Sequence, residues 1–110
     1  MKRLILVLVA AGLTGCLPVR RDTPLVGDLP GLTPAQARGQ VVYMANCQQC
    51  HPGGSAGLGP ALNDKPLPGF LIRFQVRHGL GAMPAFGPKD ISEADLDALV
   101  EYVVRLQGVR

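Results

Sequence analysis

Five consecutive residues, Cys47-Gln48-Gln49-Cys50-His51, constrain this chain more than any other stretch. Two cysteines stand three positions apart, and a histidine follows the second at once. Three chemistries use such a pair. A redox dithiol of this spacing belongs in a βαβ setting, and no part of the chain shows a convincing strand alternation. A zinc site needs four ligands. Beyond the cysteines only His51 and the distant His78 remain, with no second cysteine pair. The third chemistry is covalent haem attachment through C-x-x-C-H. Each thiol adds to one haem vinyl group, and the adjoining imidazole falls beneath the iron. The motif therefore predicts one covalent haem c on Cys47 and Cys50, with His51 as an iron ligand.

A chain of 110 residues allows one small domain. A domain of that size buries little apolar core and generally needs a staple, which two thioethers and two iron bonds would supply. The formal charge of +3 includes Lys2 and Arg3. Without them, nine basic residues stand against eight acidic ones, leaving +1. Two haem propionates would bring the balance to zero or below. No basic run follows Arg21 and there is no Trp, which argues against a nucleic-acid partner.

The N-terminus reads as a processing signal. Lys2 and Arg3 precede an apolar run from Leu4 to Leu13, too short to span a bilayer core. Leu13-Thr14-Gly15-Cys16 then resembles the bacterial lipobox. The resemblance implies that residues 1–15 are a lipoprotein signal peptide, removed before an acylated Cys16. An ordinary signal peptide, or a short anchor with an unrelated cysteine, is the plainer reading. Residues 16–32 hold Pro18, Pro24, Gly27, Pro30 and Gly31 and no helical period, so they are expected to form a flexible tether. At ~3.1 Å per residue the segment would reach roughly 50 Å when extended. Part of it could instead pack on the domain through Leu29 or Leu32.

Residues 33–110 are expected to form an all-α domain. Thr33, Pro34 and Gln36 mark a helix start with a capping box, and the helix runs from Ala35 to about Cys47. Ala37, Val41, Met44 and Ala45 share one face, read as the packed one, and Gly39 and Tyr43 lie on a neighbouring line. A mid-helix Gly costs about 1 kcal/mol relative to Ala, which a close helix crossing would justify. After a Gly/Pro-rich loop, Gly69 to about His78 forms a middle helix, with Phe70, Leu71 and Phe74 on one side. A second loop, Gly79 to Lys89, holds Met83-Pro84. Ser92 and Asp95 suggest a second capping box, and Leu96, Leu99, Val100 and Val103 give the stripe of a last helix that ends at Gly108.

These features together resemble the class I cytochrome c domain of the small bacterial type, over Thr33 to Arg110. Gly39 and Tyr43 match the family's Gly and aromatic positions on the first helix, and Leu99 and Tyr102 match the Leu and aromatic positions on the last. The resemblance implies three main helices wrapped around one haem, with those four residues at a helix crossing. Gly59-Pro60-x-Leu62 resembles the loop whose proline carbonyl accepts the N–H of the ligand histidine, so Pro60 would orient His51. The plainer reading is that Pro60 only shapes a turn. Met83-Pro84 resembles the sixth-ligand motif, with His78 as the competing ligand and Met44 as a packing residue. The tryptophan that many members place near a propionate is missing, which leaves the propionate contacts open.

The implied function is transfer of single electrons through a His51/Met83-ligated haem, with no catalysis. The carrier would be a monomer at the extracytoplasmic face of a cell-envelope membrane, held there by its lipid anchor. Its partners would be redox proteins: an oxidase, a respiratory or photosynthetic complex, or a dehydrogenase. The alternative is a haem enzyme or gas-binding protein with an open or labile sixth iron position. Arg73, Arg77 and Lys89 either form a basic docking rim or are solvated surface charge.

Overall fold

A computed structural model of the chain describes residues 24, 25, 27–63 and 65–108. The proposed signal peptide and Cys16 lie outside the described residues. Among the described residues there are three α-helices: α1 (Pro34–Asn46), α2 (Gly69–His78) and α3 (Glu93–Gln107). A 3-10 turn, Pro52–Gly54, follows the cysteine motif. Among the described residues the only bridge of extended backbone pairs Leu80 with Met83. The all-α expectation therefore holds. None of the described helices is long and apolar enough to cross a membrane.

The helices start where local chemistry says they should. Thr33 and Gln36 exchange hydrogen bonds across the first turn of α1, and Pro34 needs no donor there. The second capping box is only half formed. Ser92 Oγ accepts from the Asp95 N–H at 3.2 Å, but the Asp95 carboxylate turns to Arg38 instead. A charged guanidinium held by two bonds is a better partner for a carboxylate than one backbone N–H.

α1 and α3 cross at Gly39. A methyl there would overlap the Ala98 carbonyl and come within 2.7 Å of Tyr102 Cβ. The glycine thus allows the two backbones to touch, and Tyr43 packs on Tyr102 with ring centroids 5.3 Å apart. This contact sets which face of α1 is inside. Gly39, Val42 and Tyr43 are buried. Val41 and Met44 are 62% and 54% exposed, so the face expected to pack is the outer one and Met44 is not a core residue. The helix turns its small residue and its aromatic inward because only a glycine permits the crossing.

The core joins all three helices through Val42, Tyr43, Ile72, Val76, Leu96, Leu99, Tyr102, Val103 and Leu106, with Ile91 and Leu29 from the connections. Leu29 is buried, so within the described residues the segment packs on the domain, which is the alternative to a flexible tether. The Leu25 N–H donates to the Gly53 carbonyl at 3.0 Å, and Asp28 accepts from the Gln40 amide at 3.0 Å. The described part of residues 24–32 is therefore a strap on the domain.

Candidate functional site

The motif cysteines sit where α1 unwinds. Cys47 caps the helix, and its N–H donates to the Tyr43 carbonyl at 2.7 Å. The next turn closes through the Cys47 carbonyl, which accepts from Cys50 at 3.2 Å and from His51 at 2.9 Å. Cys47 and Cys50 are free thiols, both partly exposed, so neither is lost to a disulfide. Burial, and secondarily the charge of Cys50, pushes the Cys47 thiol up to about 11.

His51 is buried and held at several atoms. Its Nδ1 lies 2.7 Å from the Pro60 carbonyl, which can only accept, so the Nδ1 position carries the proton. That leaves Nε2 as the nitrogen with a lone pair, and it makes no hydrogen bond among the described residues. The ring lies against Gly59, where a methyl would overlap Cε1 and stand 2.9 Å from each ring nitrogen. The main chain of His51 is pinned too. Its carbonyl accepts from the Gly54 N–H at 3.0 Å and from the buried Tyr43 hydroxyl. The same hydroxyl accepts from Gly54 at 3.1 Å, and burial followed by the Cys47 charge raises the Tyr43 pKa well above its usual value. Gln48 Oε1 takes the Gly53 N–H at 3.0 Å.

Met83 occupies the loop between α2 and α3. Leu80 and Met83 exchange backbone hydrogen bonds at 3.1 and 3.0 Å, closing a two-residue turn in which Gly81 has φ +58°. The side chain packs against the core, and the Gln75 amide lies 3.9 Å from Met83 Sδ. His78 is engaged elsewhere: its Nδ1 bonds the Phe74 carbonyl at 2.8 Å and its ring stacks on Phe74. Arg73 and Arg77 are not a free basic rim. Arg73 pairs with Glu93 and Asp97, and Arg77 reaches Glu93 at 2.6 Å.

These residues fit a covalently held haem. Two free thiols stand beside an imidazole whose orientation is fixed and whose second nitrogen makes no hydrogen bond among the described residues. Leu58, Phe70, Phe74 and Leu80 are all more than half exposed, unusually apolar for the surface of so small a domain. They come from the loop after His51, from α2 and from the turn leading to Met83, so a flat apolar group could be covered by them. Phe70 and Phe74 are therefore not ordinary core. A hollow of about 450 Å³ lined by Gln36, Val100, Glu101, Val104 and Arg105 contains none of the site residues.

Three contributors were not singled out as site residues from the sequence. Tyr43 was visible only as an aromatic packing position, although a phenol in a core asks for a partner. Gln75 is one polar residue on a helix, and nothing in its spacing points at Met83. Arg77 looked like surface charge.

Residues 34–103 match the family model described as cytochrome c oxidase, cbb3-type, subunit III. The chain is 35% identical over 74 residues to cytochrome c6 of Petalonia fascia, covering 60% of this chain and 86% of that one. It is 33% identical over 106 residues to the chloroplastic cytochrome c6 of Chlamydomonas reinhardtii, covering 86% and 71%. A chain in the crystal structure of p-cresol methylhydroxylase with substrate bound superposes with a TM-score of 0.54 at 33% identity, over 64% of this chain and 93% of that one.

Proposed function

The chain belongs to the class I c-type cytochromes, in the family described as cbb3-type cytochrome c oxidase subunit III, and we propose that it is a membrane-tethered electron carrier with His51 and Met83 as axial iron ligands. Cytochromes of this family carry one covalent haem c, and Cys47, Cys50 and His51 form its C-x-x-C-H motif. When bound, the haem supplies a one-electron Fe(III)/Fe(II) couple. The chain's own residues decide what that couple does. Cys47 and Cys50 hold the group by thioethers. Pro60 keeps the proton on Nδ1 of His51, so Nε2 is the ligating nitrogen. Met83 would supply the second iron ligand, and with both ligands bound no position would be left open for substrate.

The observation that carries this reading is that both ligand side chains are held. His51 is fixed by the Pro60 carbonyl at 2.7 Å, and Met83 is fixed by the paired backbone bonds to Leu80 and by packing against the core. Ligands held in place in both oxidation states keep reorganisation small when an electron moves. His78, tied to the Phe74 carbonyl and stacked on its ring, is a poorer candidate. The test is Met83→Ala. It should lower the reduction potential and open ferrous iron to carbon monoxide, because a thioether favours the reduced state. A spectrum and potential unchanged in that variant would overturn the assignment and favour a haem enzyme or gas-binding protein.

The anchor rests on the Leu13-Thr14-Gly15-Cys16 sequence. Acylation of Cys16 would place the domain at the extracytoplasmic face of a membrane. Cys16→Ala should move the protein from the membrane fraction to the soluble one, and an unchanged distribution would refute the anchor. Redox proteins are the natural partners. The family description and the methylhydroxylase likeness favour an oxidase or a dehydrogenase, and co-purification through the full-length chain would distinguish a bound subunit from a free carrier.

A further inference from the structure

We infer that Arg77 is a positioning residue for Met83, fastening the ligand-bearing loop to the helix from which that loop departs. The inference rests on the reading of Met83 as an iron ligand. Arg77 lies in the last turn of α2, and its side chain is only 15% exposed. Nη1 donates to the Phe86 carbonyl at 3.0 Å and to the Ile91 carbonyl at 2.7 Å, while Nη2 donates to Glu93 Oε1 at 2.6 Å. Among the described residues, no other donor serves either carbonyl.

The effect on Met83 follows from where these bonds fall. Phe86 is tied twice to consecutive residues of α2, because its own N–H donates to the Val76 carbonyl at 2.9 Å. On the other side, Met83 is locked to Leu80. Only Pro84 and Ala85 lie between these two fastened points, and the proline ring stiffens even that span. The Ile91 bond holds the far end of the loop, one residue before the cap of α3. One guanidinium thus joins the start, the middle and the end of the connection. A lysine ammonium is a single point and cannot reach all three acceptors with the same fork.

Arg73 provides the contrast. It also pairs with Glu93, and with Asp97, but it bonds no backbone group of the loop. If Arg77 served only to join α2 to α3, removing either arginine would have the same consequence for Met83.

The test uses the full haem-loaded protein with Arg77→Met, Arg77→Lys and Arg73→Met. The readouts are the rate at which added imidazole displaces the sixth ligand of the ferric form and the rate of carbon monoxide binding to the ferrous form. Both report how readily Met83 leaves. A buried hydrogen-bond set to a charged group is worth about a tenfold change in such an opening equilibrium, or more. Arg77→Met should therefore speed both reactions about tenfold, with Arg77→Lys intermediate and Arg73→Met close to the parent. Denaturant unfolding of each variant separates this from general loss of stability. Should Arg77→Met fail to fold, Arg77→Lys carries the test alone and must exceed Arg73→Met. Equal rates in the Arg77 and Arg73 variants overturn the inference while leaving Met83 as ligand. An unchanged Met83→Ala spectrum removes the ligand reading itself, and this inference with it.

Discussion

The two iron-ligand regions are built in opposite ways. On the histidine side, everything that holds His51 comes from residues 43–60, and most of it is backbone: the Pro60 carbonyl, the Gly59 main chain, the Gly54 N–H. On the methionine side, the backbone bonds of Leu80 with Met83 and of Phe86 with Val76 are supplemented by side chains of α2, with Gln75 beside the sulfur and Arg77 across the loop. Backbone contacts of the first kind leave no slack, since moving one atom moves the chain. Side-chain contacts of the second kind can be exchanged one residue at a time. The histidine side is thus a fixed foundation, and the methionine side is where the properties of the carrier can be adjusted.

The sharpest way to break this comparison is to place the same methyl on each side. At Gly59 it meets an imidazole ring that is itself anchored, so the ring cannot rotate away. Overpacking of this kind costs about 3 kcal/mol. Gly59→Ala should lose that much stability on denaturant unfolding of the haem-loaded protein, with a lower yield of loaded protein. At Gly81 nothing lies within 4 Å, and only the left-handed backbone, φ +58°, opposes a side chain. Gly81→Ala should cost about 1 kcal/mol. Equal losses would mean that the two sides are equally rigid.

Tyr43→Phe tests the foundation more gently. It removes one hydroxyl and leaves the His51 carbonyl and the Gly54 N–H with each other alone. Because the group is buried, the loss should be about 2 kcal/mol. The rate at which the methionine is displaced should stay at the parent value. A large change there would show that the two sides are mechanically coupled.

How much of this was legible in the sequence follows the same division. The histidine side is local, so short-range patterns disclosed it: the cysteine pair, His51, and a proline nine residues on. The capped starts of α1 and α3 were legible for the same reason. The inward face of α1 was not, because apolar spacing favoured Val41 and Met44, whereas the crossing at Gly39 depends on the shape of α3. Packing of the N-terminal segment through Leu29 was legible only as an alternative to a tether, because proline and glycine content describes backbone conformation and does not decide where an apolar side chain goes. Gln75 and Arg77 act across a loop, and single polar residues on a helix leave no periodic trace. Asp95 was read as a capping partner, since its ion-pair partner Arg38 lies 57 residues away.

Gln75→Leu acts on the adjustable side. An amide N–H directed at the thioether withdraws electron density from it, and a poorer donor favours Fe(II). Removing the amide should lower the reduction potential measured by spectroelectrochemistry. Stability should change by less than about 0.5 kcal/mol, as for most partly exposed polar substitutions. An unchanged potential would leave Met83 without an electronic neighbour, and the tuning role of this side would rest on Arg77 alone.

The smallest effect is expected where neither ligand is involved, at the exposed ion pair that joins α1 to α3. Arg38 Nε and Nη2 meet the two Asp95 oxygens at 2.8 and 3.2 Å. The hydrogen bond from Arg38 holds the Asp95 carboxyl below its ordinary value, and the Asp95 bond raises Arg38. A carboxyl depressed by folding binds its proton more tightly in the unfolded chain. The pair therefore contributes above the unfolded carboxylate pKa, and that contribution is lost as pH falls through the lower folded value. Both groups face solvent, so salt should weaken the effect. Arg38→Met should flatten the acid limb of the stability curve slightly at low salt and leave the spectrum of the haem untouched. A shift in the spectrum would mean that the helix crossing reports to the iron, which neither ligand region as built here requires.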